Sequence, residues 1–487
     1  MQAETASDQQ PAIAEKNPDP AARGLGRLDR RWWALVALVV VALIFRLAVV
    51  GSYRAPAGDG LQYFKLSHEL RAHLRFAYDP PPAPLTFTRL PGYPLFLAFV
   101  AQPQLPRSLD AHLIWATRWN ALLDVCTGLL VFAILRDRRL GWSAAVCGFL
   151  SVLCCPLLVY LSTFGLCESL ATFLTTLELW LCLRFADRGE LRWAALTGAV
   201  AGLSQLVRVD AVTMGPALLL LWAGAKVSWR RRLQAAAAFG LFALLVFAPW
   251  PLRNLIQFHH PHPTGTEWVA QDGRPLPTGM MRWFDSWSSA SPGESYVLLP
   301  LAYNMPLDPQ RPGLLQPTMY DDESERQRII EIYKRYNRER LSPEVDGMLR
   351  ALAADRRKKD PVRALLGLPL RRIAAMWKPL PEYELPVRSA LLKLPALRAR
   401  YARFEQALLL AALLGAIGLC WQAGPGRRGH RLLVAAVALM AVTRSVVICS
   451  IHPFPVQRYL AEIFPAILAL CGYAISRGIS LFTARLR

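Results

Sequence analysis

The chain has 487 residues, is 54% hydrophobic and carries a formal net charge of +21. A soluble protein of this composition would spread its apolar residues at helix or strand period, but here they fall in blocks such as Trp32 to Val50, Ser143 to Leu161, Leu233 to Trp250 and Phe404 to Trp421. Each block approaches the roughly 20 residues that a helix needs to cross about 30 Å of hydrocarbon, so an all-α multi-pass membrane protein is expected and a soluble nucleic-acid binder is not.

Taken in chain order, the first 30 residues are polar and lack a short apolar core followed by a small-residue cleavage site. They read as a disordered cytoplasmic tail, 1–31, before a retained anchor. Spans are predicted at 32–50, 113–135, 142–161, 167–184, 192–209, 211–225, 233–252, 403–421, 432–450 and 458–476, about ten in all. With the N-terminus inside, Arg27, Arg30, Arg31, Arg136, Arg138, Arg139, Arg184, Arg188, Arg192, Lys226, Arg230 to Arg232, Arg427, Arg428, Arg431, Arg477, Arg485 and Arg487 share one side. The positive-inside rule makes that side the cytoplasm.

Two stretches then lie outside, 51–112 and 253–402. The predicted domains are a transmembrane catalytic core at 32–252 containing the outer loop 51–112, an extracytoplasmic domain at 253–402, and C-terminal membrane helices at 403–487. The first outer stretch predicts an interfacial helix near Leu61 to Phe76, a proline turn at Asp79-Pro80-Pro81-Pro82 and a half-length apolar segment Leu95 to Val100, too short to span. The second predicts helices over Asp321 to Leu341, after Ser342-Pro343 and after Asp360-Pro361, where a capping side chain precedes a proline at the first helical position. All nine cysteines fall within or beside the spans and none in 253–402, so they are read as small apolar residues, with no disulfide framework or metal site.

Charges at a membrane surface or within it are expensive and mark functional sites. In this topology Asp59, Arg89, Arg118, Glu168, Arg208, Asp210, Arg444, His452 and Arg458 all crowd the outer end. Singly, each also has an ordinary reading. Asp59 between Gly58 and Gly60 suits a turn as well as a close substrate approach, Arg89 and Arg458 suit snorkelling at the interface, Glu168 suits a helix N-terminus, and Arg208 with Asp210 suits a solvated turn. Glu178 and Asp124 lie deeper and have no assigned role. His259, His260 and His262 are interleaved with proline and have no partnering acid, a poor pattern for a metal.

Asp59, the run Arg89-Leu90-Pro91-Gly92-Tyr93-Pro94-Leu95-Phe96-Leu97-Ala98, Arg118 with Asn120, Glu168, Leu206-Val207-Arg208, Ala248-Pro249-Trp250-Pro251-Leu252-Arg253-Asn254 and Arg458-Tyr459 with Pro465 occur in an order that resembles the bacterial family 39-type membrane glycosyltransferases of the GT-C fold. These are relatives of the protein O-mannosyltransferases and of the lipid A aminoarabinose transferase. The resemblance covers most of 32–476 and implies inverting transfer of a sugar, hexosyl or pentosyl, from a polyprenyl-phosphate donor to a glycan, lipid or protein acceptor at the extracytoplasmic face of the inner (plasma) membrane. It casts Asp59 as the catalytic carboxylate, Arg89 and Arg458 as ligands of the donor phosphate, and Tyr93, Arg118, Glu168, Arg208, Asp210 and Tyr459 as supporting polar residues. Two positions depart from the pattern: Val209 replaces a frequent proline, and Asp59 lacks the adjacent second acid of the protein mannosyltransferases.

Elementary chemistry leads to the same reaction. Guanidinium groups can meet the charge developing on a leaving phosphate, so no cofactor is expected and a divalent metal is optional. A positioned carboxylate can deprotonate an acceptor hydroxyl. No Gly-rich phosphate loop on a strand is present for a nucleotide-sugar donor. A transporter of lipid-linked sugar and an O-antigen ligase or polymerase are the competing readings.

Overall fold

The computed structural model describes residues 30–50, 59–100, 109–259, 278–289, 294, 297, 300–301, 305–311, 314–379, 395–421 and 428–486. Among them every regular element is a helix. The chain divides into a small unit, Met1–Val41, described only over its last turns, and a large unit, Ala42–Arg487.

A helix stands at each of the ten predicted spans. The first eleven helices are α1 (Arg30–Val50), α2 (Asp59–His73), α3 (Gly92–Val100), α4 (Leu109–Asp137), α5 (Trp142–Cys154), α6 (Pro156–Ser162), α7 (Glu168–Arg188), α8 (Leu191–Val207), α9 (Gly215–Gly224), α10 (Trp229–Phe247) and α11 (Pro249–Phe258). Three further long helices, Pro395–Trp421, Arg428–Ile451 and Phe464–Arg485, complete the set. Six described segments are by themselves long and apolar enough to cross a membrane, and two bent pairs raise this to eight. Their outer faces keep large apolar side chains exposed, such as Leu244 and Leu245 on α10, Leu410 and Leu414 on Pro395–Trp421, and Leu481 and Phe482 on the last helix. That is the surface lipid covers in a multi-pass protein.

Two predicted spans are broken. The segment predicted at 142–161 bends by 52° between α5 and α6. Pro156 lacks the N–H that would continue the ladder and forces Cys155 into an extended conformation, with φ −62° and ψ 121°. Likewise α10 and α11 meet at 43° where Pro249 starts the second helix.

Helices α8 and α10 approach backbone to backbone. A Cβ on Gly198 would stand 2.1 Å from the Phe239 carbonyl oxygen, and one on Gly202 2.7 Å from that of Ala243. Small residues at such crossings let dispersion forces hold helices together where lipid removes the hydrophobic drive.

The predicted interfacial elements are α2 and α3. The proline turn between them closes through a single antiparallel bridge, Ala77 to Leu85. Within 253–402, α12 (Thr278–Asp285) packs with helices Glu323–Glu339 and Pro343–Lys359 around Trp283, Phe284, Trp287, Ile332, Tyr333 and Leu349. Its capping follows the sequence: Asp322 accepts from the Glu325 N–H at 2.9 Å and Ser342 from that of Val345 at 3.2 Å. Asp360 Oδ1 likewise accepts from the Arg363 N–H at 2.8 Å.

Buried Arg372 fastens this core to the helix Arg428–Ile451. It donates to Asp285 Oδ1 at 2.7 Å, the Ser288 carbonyl at 3.0 Å and the Cys449 carbonyl at 3.2 Å. Trp377 Nε1 donates to Ser445 Oγ at 2.9 Å, so the second core sits directly beside the segment that carries His452.

Candidate active site

A cavity of about 450 Å³ opens where the starts of α2 and α7, the Thr88–Leu90 loop, the end of α8 and the His452–Tyr459 connection converge. Asp59, Arg89, Glu168, Arg208, Asp210, Arg458 and Tyr459 all line it, with Tyr63 and His452. Residues separated by up to four hundred positions therefore meet at one end of the helix bundle.

Their ion pairs form two layers. In the outer, half-buried layer Arg89 Nη2 donates to Asp59 Oδ1 at 2.5 Å and its Nε to Gln62 Oε1 at 2.7 Å, and the Arg89 guanidinium stands 5.8 Å from the Tyr63 ring centre. Arg458 reaches the other carboxylate oxygen of Asp59 at 3.6 Å and Glu168 Oε1 at 3.9 Å. Both contacts are too long for hydrogen bonds, and Arg458 Nε has no hydrogen-bond partner. Two guanidinium groups thus converge on the Asp59 carboxylate.

The inner layer is almost fully buried. Arg208 grips Asp210 through Nη2–Oδ2 at 2.8 Å and Nε–Oδ1 at 3.0 Å, and reaches Glu168 at 3.2 Å and Glu462 at 2.8 Å. Arg444 lies behind it, paired with Glu462 and with Asp210 Oδ2 at 3.0 Å, and donating to Thr213 Oγ1 at 3.1 Å. Charged groups taken this far from water persist only when they are paired and hydrogen-bonded in such a network.

Burial pushes the Asp59 carboxyl up, but Arg89 and Arg458 together outweigh it and hold the group below its ordinary 3.8. Asp59 is therefore ionised at neutral pH. Burial first, then the Arg458 and Arg372 charges, lower His452 to about 3. Its Nδ1 accepts from the Phe454 N–H at 3.1 Å, so the neutral ring carries its proton on Nε2, 2.8 Å from the Tyr459 hydroxyl. Tyr459 in turn lies under both Arg208 and Arg458, each 5.4 Å from its ring centre.

Two predicted supporting residues stand outside the cavity lining. Tyr93 is buried behind it, edge-on to Tyr63 with ring centres 5.1 Å apart. Arg118 is exposed on α4 in the stripe Ile114, Arg118, Leu122, while Thr117, Asn120 and Asp124 face inward. The i, i+4 geometry of the helix turns Arg118 away from the site. Conversely, Glu462 was not anticipated, although an acid four residues after Arg458 inside an apolar span is itself the signal. Deep in the bundle, Asp124 pairs with Arg46 at 3.1 Å. His259 ends α11, whereas His260 and His262 lie outside the described residues.

The family model for dolichyl-phosphate-mannose-protein mannosyltransferases matches residues 105–252, from α4 to the start of α11. Among solved structures, the oligosaccharyltransferase AglB from Archaeoglobus fulgidus aligns over 94% of this chain and 51% of its own at 13% identity and a TM-score of 0.51. The protein has the GT-C fold, and over residues 105–252 it is similar to the protein mannosyltransferases. It spans about half the length of the archaeal enzyme. ArnT from Cupriavidus metallidurans aligns over 92% of this chain and 79% of its own at 16% identity with a TM-score of 0.37. EmbB, an arabinosyltransferase from Mycobacterium smegmatis, aligns over 93% and 42% at 15% identity with a TM-score of 0.34. No curated protein matches.

Proposed function

We propose that this protein is an inverting membrane glycosyltransferase that moves a sugar from a polyprenyl-phosphate donor to an acceptor hydroxyl at the extracytoplasmic face of the inner membrane. The observation that carries the reading is Asp59, ionised and held by Arg89 at the mouth of a cavity where Arg458 meets Asp59 and Glu168 only at 3.6 and 3.9 Å. The family model over 105–252 and the GT-C fold, shared with an archaeal enzyme described in complex with a dolichol-phosphate, support the class of reaction.

In the proposed step Asp59 accepts the proton of the acceptor hydroxyl as its oxygen bonds to the anomeric carbon. The bond from that carbon to the phosphate oxygen breaks on the opposite face, and the electron pair leaves with polyprenyl phosphate. Arg458 and Arg89 meet the developing negative charge, with the fork geometry that suits phosphate. Half-burial strengthens these interactions relative to water. A divalent cation at the phosphate remains optional. The segment 253–402, docked beside His452 through Arg372, is the proposed extracytoplasmic domain.

The test is transfer from a synthetic polyprenyl-phosphate sugar to envelope acceptors by purified protein, beside a donor-binding assay. Asp59→Asn keeps shape and hydrogen-bonding capacity but cannot take the proton, so turnover is expected to fall roughly 10²- to 10⁴-fold with donor binding retained. Near-normal turnover by this variant removes Asp59 from the mechanism.

A further inference from the structure

A second cavity, of about 550 Å³, lies at the other end of the same helices. Helix α7 begins with Glu168 at the first cavity and ends with Arg184 and Arg188 at the second, a separation of about 30 Å along a helix of that length. The helix Arg428–Ile451 likewise presents Arg428 and His430 to the second cavity and Ile448 and Ile451 to the first. Nothing in the proposed transfer step uses this second site.

The lining is cationic beyond the needs of its own ion pairs. Two acids are present, and both are engaged: Asp137 with Arg184 at 2.7 Å and with Trp180 Nε1 at 2.9 Å, and Asp187 with Arg138. Arg139, Arg188, Lys226 and Arg428 line the same cavity without an ion pair to any described carboxylate. Arg138 is 7% exposed, and its buried Nε has no hydrogen-bond partner. His430 Nε2 meets the Arg138 carbonyl at 2.8 Å and so ties the two helices that form the rim. Gly429 keeps this space open, since a Cβ there would stand 3.1 Å from Arg138 Nη1.

We propose that this cavity is a binding site for a phosphate-bearing anion, separate from the candidate active site. A buried arginine with an unused donor, sharing a cavity with four cations that make no ion pair to a described carboxylate, is a cradle for tetrahedral oxyanions, and the volume falls in the range of small-molecule sites. The phosphate can come from an anionic phospholipid headgroup, because basic pockets between membrane helices take such headgroups, or from a soluble phosphate.

The full-length protein in nanodiscs or detergent is titrated with dioleoylphosphatidylglycerol, with dioleoylphosphatidylcholine and with inorganic phosphate, reading bound lipid by native mass spectrometry and phosphate by thermal stabilisation. The variants are Arg188→Gln with Arg428→Gln, both exposed, and Arg138→Gln; Asp59→Asn serves as a control at the other cavity. Phosphatidylglycerol is expected to bind in preference to phosphatidylcholine, with about fivefold loss per exposed charge removed, the equivalent of about 1 kcal/mol each, and no change in Asp59→Asn. Stabilisation by inorganic phosphate that is lost in Arg188→Gln with Arg428→Gln would support the site with a soluble ligand. Equal binding of the two lipids with no response to phosphate, or selectivity unchanged in the double variant, overturns the proposal.

Discussion

Arg208 and Asp210 stand two residues apart, yet the first grips both carboxylate oxygens of the second at 2.8 and 3.0 Å while also reaching Glu168 and Glu462. The geometry depends on where α8 stops. Arg208 is extended, with φ −145° and ψ 132°, and Val209 starts a 3-10 turn, so both side chains swing to one side of the corner. This pair is the frame on which the inner layer is built.

Removing Arg208 leaves three carboxylates in a nearly dry pocket with Arg444 as their remaining inner-layer cation. Breaking a buried ion pair by deleting one partner costs about 3–5 kcal/mol. Arg208→Ala is therefore expected to lower thermal stability in detergent by that order, and Arg208→Lys to recover only part of it, since an ammonium cannot reproduce the two-pronged contact. An unchanged melting temperature in the Ala variant would show that the network contributes no stability.

Gly92 ends the Arg89-Leu90-Pro91 loop and starts α3 against the end of α8. A Cβ there would stand 2.7 Å from the Leu206 carbonyl carbon and oxygen and from Val207 Cγ2. Gly92→Ala should push the loop off α8, costing about 1–3 kcal/mol as overpacking does, and should draw Arg89 away from Asp59. Thermal unfolding and donor affinity are both expected to fall; wild-type values for both would mean the loop yields freely.

Much of this arrangement was legible in the sequence. The blocks of apolar residues are long enough to declare themselves as helices, and charges at the outer ends of the spans are scarce enough that Asp59, Arg89, Glu168, Arg208 and Arg458 stand out by residue type and position alone. What sequence could not supply was helix phase and bending. Arg118 and Asp124 are both polar positions on α4, but only rotation about the helix axis decides that one faces outward and the other pairs with Arg46. The division into outer and inner layers was equally hidden, because it depends on which guanidinium reaches which acid across elements distant in sequence.

His452 carries a stability prediction with a defined sign. Its folded value is depressed to about 3 from an ordinary 6.5, so between these limits the unfolded chain binds more protons than the native one. Stability linked to this ring is present above pH 6.5 and is lost as pH falls through the unfolded value, amounting to about 1–2 kcal/mol between pH 7 and pH 5. His452→Gln should flatten that part of the stability profile, measured by denaturation in detergent across the interval. Identical slopes in the two proteins would place the titration elsewhere.

The last prediction separates the two roles assigned to Arg89. As a phosphate ligand it contributes affinity, and losing a charge-assisted hydrogen bond worth about 1.5–3 kcal/mol weakens donor binding roughly 10- to 100-fold in Arg89→Gln. As the partner of Asp59 it sets when that carboxylate is ionised. Burial raises the Asp59 value, with Arg89 the strongest opposing influence and Arg458 the next. Taking Arg89 away leaves burial less opposed, so the folded value rises. In the proposed step the competent carboxylate is the deprotonated form, lost as pH falls through that value, so the acid limb of the rate profile is expected to move to higher pH in the variant. In the wild type this limb lies below the ordinary carboxylate value of 3.8, and activity attributable to Asp59 is flat through neutrality. The measurement is single-turnover transfer at saturating donor from about pH 2.5 to pH 8, a window that includes the wild-type limb and removes the affinity defect from the comparison. An upward shift of the acid limb in Arg89→Gln assigns the limb to Asp59; coincident limbs in the two proteins would mean that Asp59 is not the group whose deprotonation the reaction requires.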